Sequence, residues 1–105
     1  MRITFSDAAV EYLTPLLNST GKQLKFLHNT AGNGCADNGI PTLTLIDEPT
    51  SGDVAGEADP LPFYYEPRHE VYYEDHMKID YKPQSHTFSL KSDAQIYSYN
   101  LRFIK

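Results

Sequence analysis

The chain has 105 residues, 40% hydrophobic and 22% charged, which is enough for one domain with a single thin core and too apolar for wholesale disorder. Nine Lys and Arg against fourteen Asp and Glu leave a net charge of −5, without the electrostatic footprint of a nucleic-acid binder or of a protein bound to anionic membranes. The one cysteine, Cys35, excludes an intramolecular disulfide, so nothing points to an oxidising compartment.

Met1 to Phe5 alternates with Ile3 and Phe5 on one face and predicts a short strand. Ser6 is placed to cap a helix, Asp7 suits its first turn, and Val10, Leu13 and Leu17 follow at helical spacing. Pro15 lies inside this pattern and removes a backbone donor, so a kink or stop is expected near Thr14, with Asn18 to Gly21 closing the element. Leu24 to His28 predicts a strand. Residues 29–39, NTAGNGCADNG, carry three Gly and no periodicity and predict a loop. Thr42 to Ile46 alternates as a strand; the acidic Asp47 to Asp59, rich in Gly, Ser and Pro, predicts a flexible loop.

Leu61 to Tyr65 reads as a strand whose Pro62 favours a sheet edge. Pro67 opens a short helical turn over Arg68 to Tyr73. Met77 to Tyr81 and Thr87 to Leu90 are further strands. Gln95 to Phe103 alternates strongly, with Tyr97, Tyr99, Leu101 and Phe103 on one face. Eight Tyr and five Phe without a Trp suit such a chain. The expected fold is α+β and mainly β, a single domain over residues 1–105. The opening MRITFSDAA has no apolar h-region, and no run of about 18 apolar residues occurs. A cytoplasmic protein with no nucleic-acid or membrane partner is therefore expected.

Several segments together resemble the HesB-like family of A-type iron–sulphur cluster carriers. Met1-Arg-Ile-Thr-Phe-Ser-Asp-Ala-Ala is similar to that family's opening, Gly32-Asn-Gly-Cys35 to its Gly-Gly-Cys loop, and LTLIDEP (43–49) to the strand and acidic turn that follow. Glu66-Pro67 resembles its Asp-Pro turn, Ile79-Asp80-Tyr81 its Ile-Asp-Tyr strand, and His86 to Leu90 the next strand. The resemblance covers about residues 1–92 in order. It implies a small mixed sheet folded into a pseudo-barrel with one N-terminal helix. It further implies iron or an iron–sulphur cluster as cargo, Cys35 as cofactor and metal ligand, and partners among assembly proteins or client apoproteins, with a homodimer as the assembly. Two departures stand out. The family's C-terminal Cys-x-Cys pair is absent, residues 93–105 reading instead as an amphipathic strand, and Ala36-Asp37-Asn38 follows Cys35 where the family often has Ser-Gly.

A cluster is typically held by four thiolates, so one Cys35 per chain leaves ligands to be found elsewhere. His28, His69, His76 and His86 form no metal-spaced motif. Glycines near Cys35 favour a lowered thiol pKa and Asp37 opposes it; an inert turn cysteine is the plain alternative. Asp80 is read as a polar residue on the outer face of a strand before it is read as a general base. The pairs Tyr64-Tyr65 and Tyr72-Tyr73 are read as packing residues at this net charge, not as base-stacking platforms. No Ser-His-Asp set, phosphate loop or dinucleotide fingerprint is present, and the chain is not expected to be an enzyme. Two functions remain: an iron–sulphur assembly or carrier protein acting through Cys35 across an oligomer, and a cofactor-free domain serving as an interaction or structural module.

Overall fold

The structure is a computed structural model and describes residues 1–29 and 40–104. The elements are β1 (Arg2–Phe5), α1 (Asp7–Thr20), β2 (Gln23–Asn29), β3 (Ile40–Ile46), β4 (Val54–Ala55), β5 (Glu57–Asp59), β6 (Phe63–Tyr65), a 3-10 helix (Pro67–Tyr72), β7 (His76–Lys82), β8 (Thr87–Lys91) and β9 (Ile96–Ile104). The strands form one sheet in the order β4-β6-β2-β3-β9-β8-β7-β1-β5, curled into a nearly closed barrel, as the family resemblance implies.

Two segments change neighbours, and they close the barrel. β9 runs antiparallel to β8 through Leu101↔Phe88 and then parallel to β3 through Arg102↔Thr42, Phe103↔Leu43 and Ile104↔Thr44. It is thus central in the sheet, so the C-terminal segment is structural. The chain from Val54 to Asp59 makes the second switch: β4 pairs with β6, and β5 pairs with β1. Only Gly56 separates them. Its N–H donates to the Phe63 carbonyl (3.0 Å), and the next N–H, of Glu57, donates to the Met1 carbonyl (3.0 Å). A Cβ at Gly56 would overlap the ring of Phe63, which is itself buried, so this crossover requires glycine.

The core is one cluster. Ile3 and Phe5 of β1, Leu24 and Phe26 of β2, Leu43 and Leu45 of β3, Met77, Ile79 and Tyr81 of β7, and Phe88 and Leu90 of β8 all face inward with period two. α1 packs on β7 and buries Ala9 and Leu13. The Ser6 hydroxyl caps it, accepting from the Ala9 N–H (3.2 Å) while donating to Asp80 Oδ1 (2.5 Å). Asp80 Oδ1 also accepts from the Tyr81 N–H (2.9 Å). Asp80 therefore locks the helix start to β7.

Four sequence expectations need correction. α1 does not stop near Thr14. It runs through Pro15 to Thr20 and ends at Gly21, whose φ of 69° gives the left-handed cap and whose N–H reaches the Leu17 carbonyl (2.9 Å). Pro15 and Glu11 are both exposed, so the carbonyl that the proline leaves without a donor faces water. The acidic 47–59 segment contains β4 and β5. Its turn is held by the Asp53 carboxylate, which accepts from the Thr50 N–H (2.9 Å) and hydroxyl (3.1 Å). β6 is not an edge strand, lying between β4 and β2. Finally, Tyr99 is 75% exposed while Leu101 is 3% exposed. Two register shifts, between Phe88 and Leu90 and between Leu90 and Lys91 of the partner strand, insert extra β9 residues and rephase its alternation.

The rephased strand sets the outcome of two truncations. Leu101→Ala should cost about 2–5 kcal/mol in chemical denaturation, and Tyr99→Ala should stay within about 0.5 kcal/mol. Comparable losses for the two would restore the simple alternation. At the crossover, Gly56→Ala should cost at least about 1–3 kcal/mol through overpacking. Gly52→Ala, whose added Cβ meets nothing within 4 Å, serves as the neutral reference in the same melt.

Candidate functional site

The β2–β3 hairpin presents the residues that bear on function. β2 ends at Asn29 and β3 begins opposite it at Ile40. Cys35 belongs to residues 30–39, which join these ends, and lies outside the described residues, as do Ala36, Asp37 and Asn38. At the root of the hairpin the fold gathers a cluster of imidazole and phenol rings. His28 follows Leu24 and Phe26 on the inward face of β2. It meets the 3-10 helix and the residue after it: Tyr72 stacks on His28 (centroids 4.0 Å apart, 13° between planes) and the Tyr73 hydroxyl lies 2.6 Å from His28 Nδ1. The His69 ring is 5.8 Å from that of His28, and His69 Nδ1 accepts from the His28 backbone N–H at 3.3 Å. Tyr73 continues the cluster inward, edge-on to Phe26 at 5.0 Å and 5.4 Å from Tyr97.

The 3-10 helix is brought to His28 by charge. Lys25, three residues before His28 on β2, has its Nζ 2.8 Å from Asp53 Oδ1 and 3.4 Å from Glu66 Oε2. Glu66 precedes the helix and also holds Arg68 (2.9 Å). The side chains of Lys25 and Asp53 are 14% and 1% exposed. Asp53 Oδ1 has no hydrogen bond of good geometry, so the nearby ammonium compensates it by charge. Burial pushes the Asp53 carboxyl up, but Lys25 and Thr50 outweigh burial and hold it below the usual carboxylate range.

Burial lowers the pKa of His28. Burial also lowers that of His69, with Glu66 opposing and Arg68, His28 and Lys25 adding to the fall. Both rings are therefore neutral at pH 7. Burial raises the Tyr73 phenol further from titration, so it stays protonated. If Tyr73 donates to His28 Nδ1, then Nε2 of His28 carries the proton; if Nδ1 donates, Nε2 holds a free lone pair. In the first state the ring can donate to a sulfur anion, and in the second it can ligate a metal.

Sequence reasoning missed this pairing because 41 residues separate His28 from His69 and no spacing rule spans them. The other two histidines are elsewhere. His76 Nε2 lies 2.7 Å from the Thr4 hydroxyl, which donates to Asp59 (2.8 Å), a carboxylate also held by Arg2 (2.7 Å). His86 Nδ1 faces the Tyr81 hydroxyl at 3.3 Å. Asp80 is the helix-cap partner described above. Of the tyrosine pairs, Tyr65 is in the core and Tyr72 and Tyr73 belong to the histidine cluster. Among the described residues no three His, Cys, Asp or Glu side chains gather as a metal site. No helix among them is long and apolar enough to cross a membrane.

The sequence profile of the iron–sulphur cluster biosynthesis family matches residues 1–105. An uncharacterized Bacillus subtilis protein, YqkB, is 33% identical over 99 residues, spanning 93% of this chain and 92% of that protein. Among solved structures, a candidate Fe–S biosynthesis protein of Lactobacillus salivarius superposes with a TM-score of 0.79 at 17% identity, over 100% of this chain and 97% of that one. Escherichia coli SufA, involved in biosynthesis of iron–sulphur clusters, gives 0.64 at 18% identity, over 86% and 77%. IscA with its [2Fe-2S] cluster gives 0.62 at 12% identity, over 94% and 97%. At these identities the structural matches establish a shared fold.

The lowered imidazole pKa values have a sign that can be measured. A histidine whose folded pKa lies below the unfolded value of about 6.5 contributes its full stability above that value. The contribution is lost as pH falls through 6.5 towards the folded pKa. NMR titration should find His28 and His69 both titrating below about 6.5, with thermal stability declining in that window. Substitution of both by Gln should flatten the decline. Titration of either above 6.5 would show that burial does not dominate at that ring.

Proposed function

The chain belongs to the iron–sulphur cluster biosynthesis family, and from that premise we propose that it is a carrier in iron–sulphur assembly. It takes iron or a cluster as cargo through Cys35 and delivers it to client apoproteins in the cytoplasm, as a homodimer and without enzymatic turnover. The observation that carries this reading is the placement of two neutral imidazoles, His28 and His69, at the root of the hairpin that contains Cys35.

The donor set decides what form the carrier takes. One thiolate per chain falls short of the four that typically hold a cluster. Two chains bring two Cys35 thiolates and two His28 rings, each with Nε2 free where Nδ1 donates to Tyr73, while His69, whose Nδ1 accepts the His28 N–H, carries its proton on Nε2 and serves as a hydrogen-bond donor. Histidine replaces cysteine on one iron in Rieske-type centres, so a mixed sulfur and nitrogen set is chemically adequate. Where Tyr73 is the donor to His28, the imidazole instead donates to a thiolate or sulfide and tunes the bound cargo. Half-burial of the histidines among aromatic rings lowers the local dielectric, which strengthens such hydrogen bonds.

A second reading rests on a specific observation. The segment that carries Cys-x-Cys in A-type carriers is here built into the centre of the sheet as β9 and contains no cysteine. A scaffold that has lost those ligands can act as a cofactor-free interaction module, for which Val71 and Tyr72, 83% and 52% exposed, offer contact area.

Anaerobic reconstitution with ferrous iron and sulfide separates the two. The carrier reading expects a visible absorption band that survives desalting, disappears in Cys35→Ala, and shifts or weakens in His28→Ala. Colourless, iron-free wild-type protein after the same treatment would remove the carrier reading and leave the interaction module.

A further inference from the structure

The outward face of β7, β8 and β9 differs in charge from the rest of an acidic chain. α1 packs on β7 from the inside, burying Ala9 and Leu13. Side chains of the other parity point away from it: Lys78, Asp80 and Lys82 on β7, and Thr87, Ser89 and Lys91 on β8. Three of the nine Lys and Arg thus share one patch in a chain of net charge −5. The ladder sets Lys78 directly opposite Lys91, a like-charge pair that costs stability. Asp93 offsets it on one side, accepting from Lys78 at 2.9 Å. Asp80, the carboxylate within the patch, already accepts from the Ser6 hydroxyl and the Tyr81 N–H. Lys82 and Lys91 are both exposed.

β9 adds apolar surface to this patch. Its register shifts leave Tyr99 75% and Ile96 51% exposed. Both side chains border a shallow recess of about 130 Å³, shared with Asp80, Lys82, Ser89 and Lys91. That is below the range of small-molecule sites, roughly 300–1,000 Å³, and suits a single inserted side chain. A tyrosine that the core does not use, flanked by ammonium groups, has the composition of a contact surface: Tyr supplies contact area, and the charges select the partner. The spacing sets what fits. The rows of Lys91 and Lys82 are four residues apart along the strands, about 13 Å at the rise of a strand, with Ser89 and Tyr99 between them. An extended peptide places residues i and i+4 at the same distance and on the same side as residue i+2.

We infer that this face docks an extended acidic segment of a partner protein, with carboxylates four residues apart meeting Lys91 and Lys82 and an apolar residue midway against Tyr99. Charge complementarity explains why the fold keeps two lysines opposed across a ladder, and the apolar contact explains why a tyrosine is held outward beside them. The face uses neither Cys35 nor the histidine pair, so it stands or falls independently of the carrier reading.

The test titrates the full chain with the end-blocked peptide Glu-Ser-Leu-Ser-Glu and, separately, with Gln-Ser-Leu-Ser-Gln, followed by amide chemical shifts at low ionic strength. The acidic peptide should saturate and move the amides of 80–82, 89–91 and 96–99. It should bind about fivefold more tightly than the neutral one, the order of two exposed ion pairs. Lys82→Gln combined with Lys91→Gln, both at exposed positions, should remove that preference and leave the neutral peptide unchanged. Tyr99→Ala should weaken both peptides. A short oligothymidylate, which carries charge without the apolar residue, should bind more weakly than the acidic peptide. The inference is overturned by shifts that rise linearly without saturating, by saturation that maps elsewhere, or by an acid preference that persists in the double lysine variant. Unchanged affinities in Tyr99→Ala, or oligothymidylate binding as tight as that of the peptide, overturn it equally.

Discussion

The architecture depends on the pairing of β9 with two strands that are otherwise unconnected by hydrogen bonds. On one side β5, β1, β7 and β8 form one half of the barrel; on the other β3, β2, β6 and β4 form the second. Without β9 each half ends in an open ladder, and the aromatic core between them is exposed along that line. Leu101, at the change of partner, is buried against both halves. The register shifts opposite Leu90 and Phe88 let one strand serve both halves, because each extra residue bends β9.

The candidate site follows from the same framework. β2 carries three functional side chains in one short stretch, on alternate faces. Lys25 points outward and clamps Asp53 and Glu66, which fixes the turn before β4 and the start of the 3-10 helix. Phe26 and His28 point inward and receive Tyr73, Tyr72 and His69 from that helix. A largely buried set of charges on the other face of β2 thus sets the position of uncharged rings at the mouth. Burial then lowers the imidazole pKa values, and only a neutral ring has a nitrogen lone pair to offer a metal.

Much of the fold was legible in the sequence because its signals are local. Ser6, the spacing of Leu13 and Leu17, and the alternations at Leu24 to His28, Thr42 to Ile46 and Met77 to Tyr81 each report one element through its own periodicity. What escaped was set by partners distant in sequence. The pairing of Val54 to Asp59 with β6 and β1 leaves no alternation in five residues, so an acidic segment rich in Gly and Pro looked like loop. The exposure of Tyr99 depends on bulges that only the ladder with β8 reveals. Pro15 read as a kink or stop near Thr14 because the rule that proline disrupts helices says nothing of which face it occupies. Of the site, Cys35 was visible from its glycine-flanked motif, while the meeting of His28 with His69 was not, since the contact is made by the way the Lys25 charges draw the 3-10 helix onto β2.

The crossover at Gly56 bears on how these molecules behave in a crowded solution. A sheet with free margins offers unpaired amides and carbonyls to any extended chain that drifts past, and such margins are where ordered aggregates grow. Here the two outermost strands, β4 and β5, are consecutive pieces of one chain with a single residue between them. Each is three residues or fewer, and the margin of one half continues directly into the margin of the other. An incoming strand finds no length of straight, unoccupied ladder on which to register. Self-association by strand addition is therefore disfavoured along this margin.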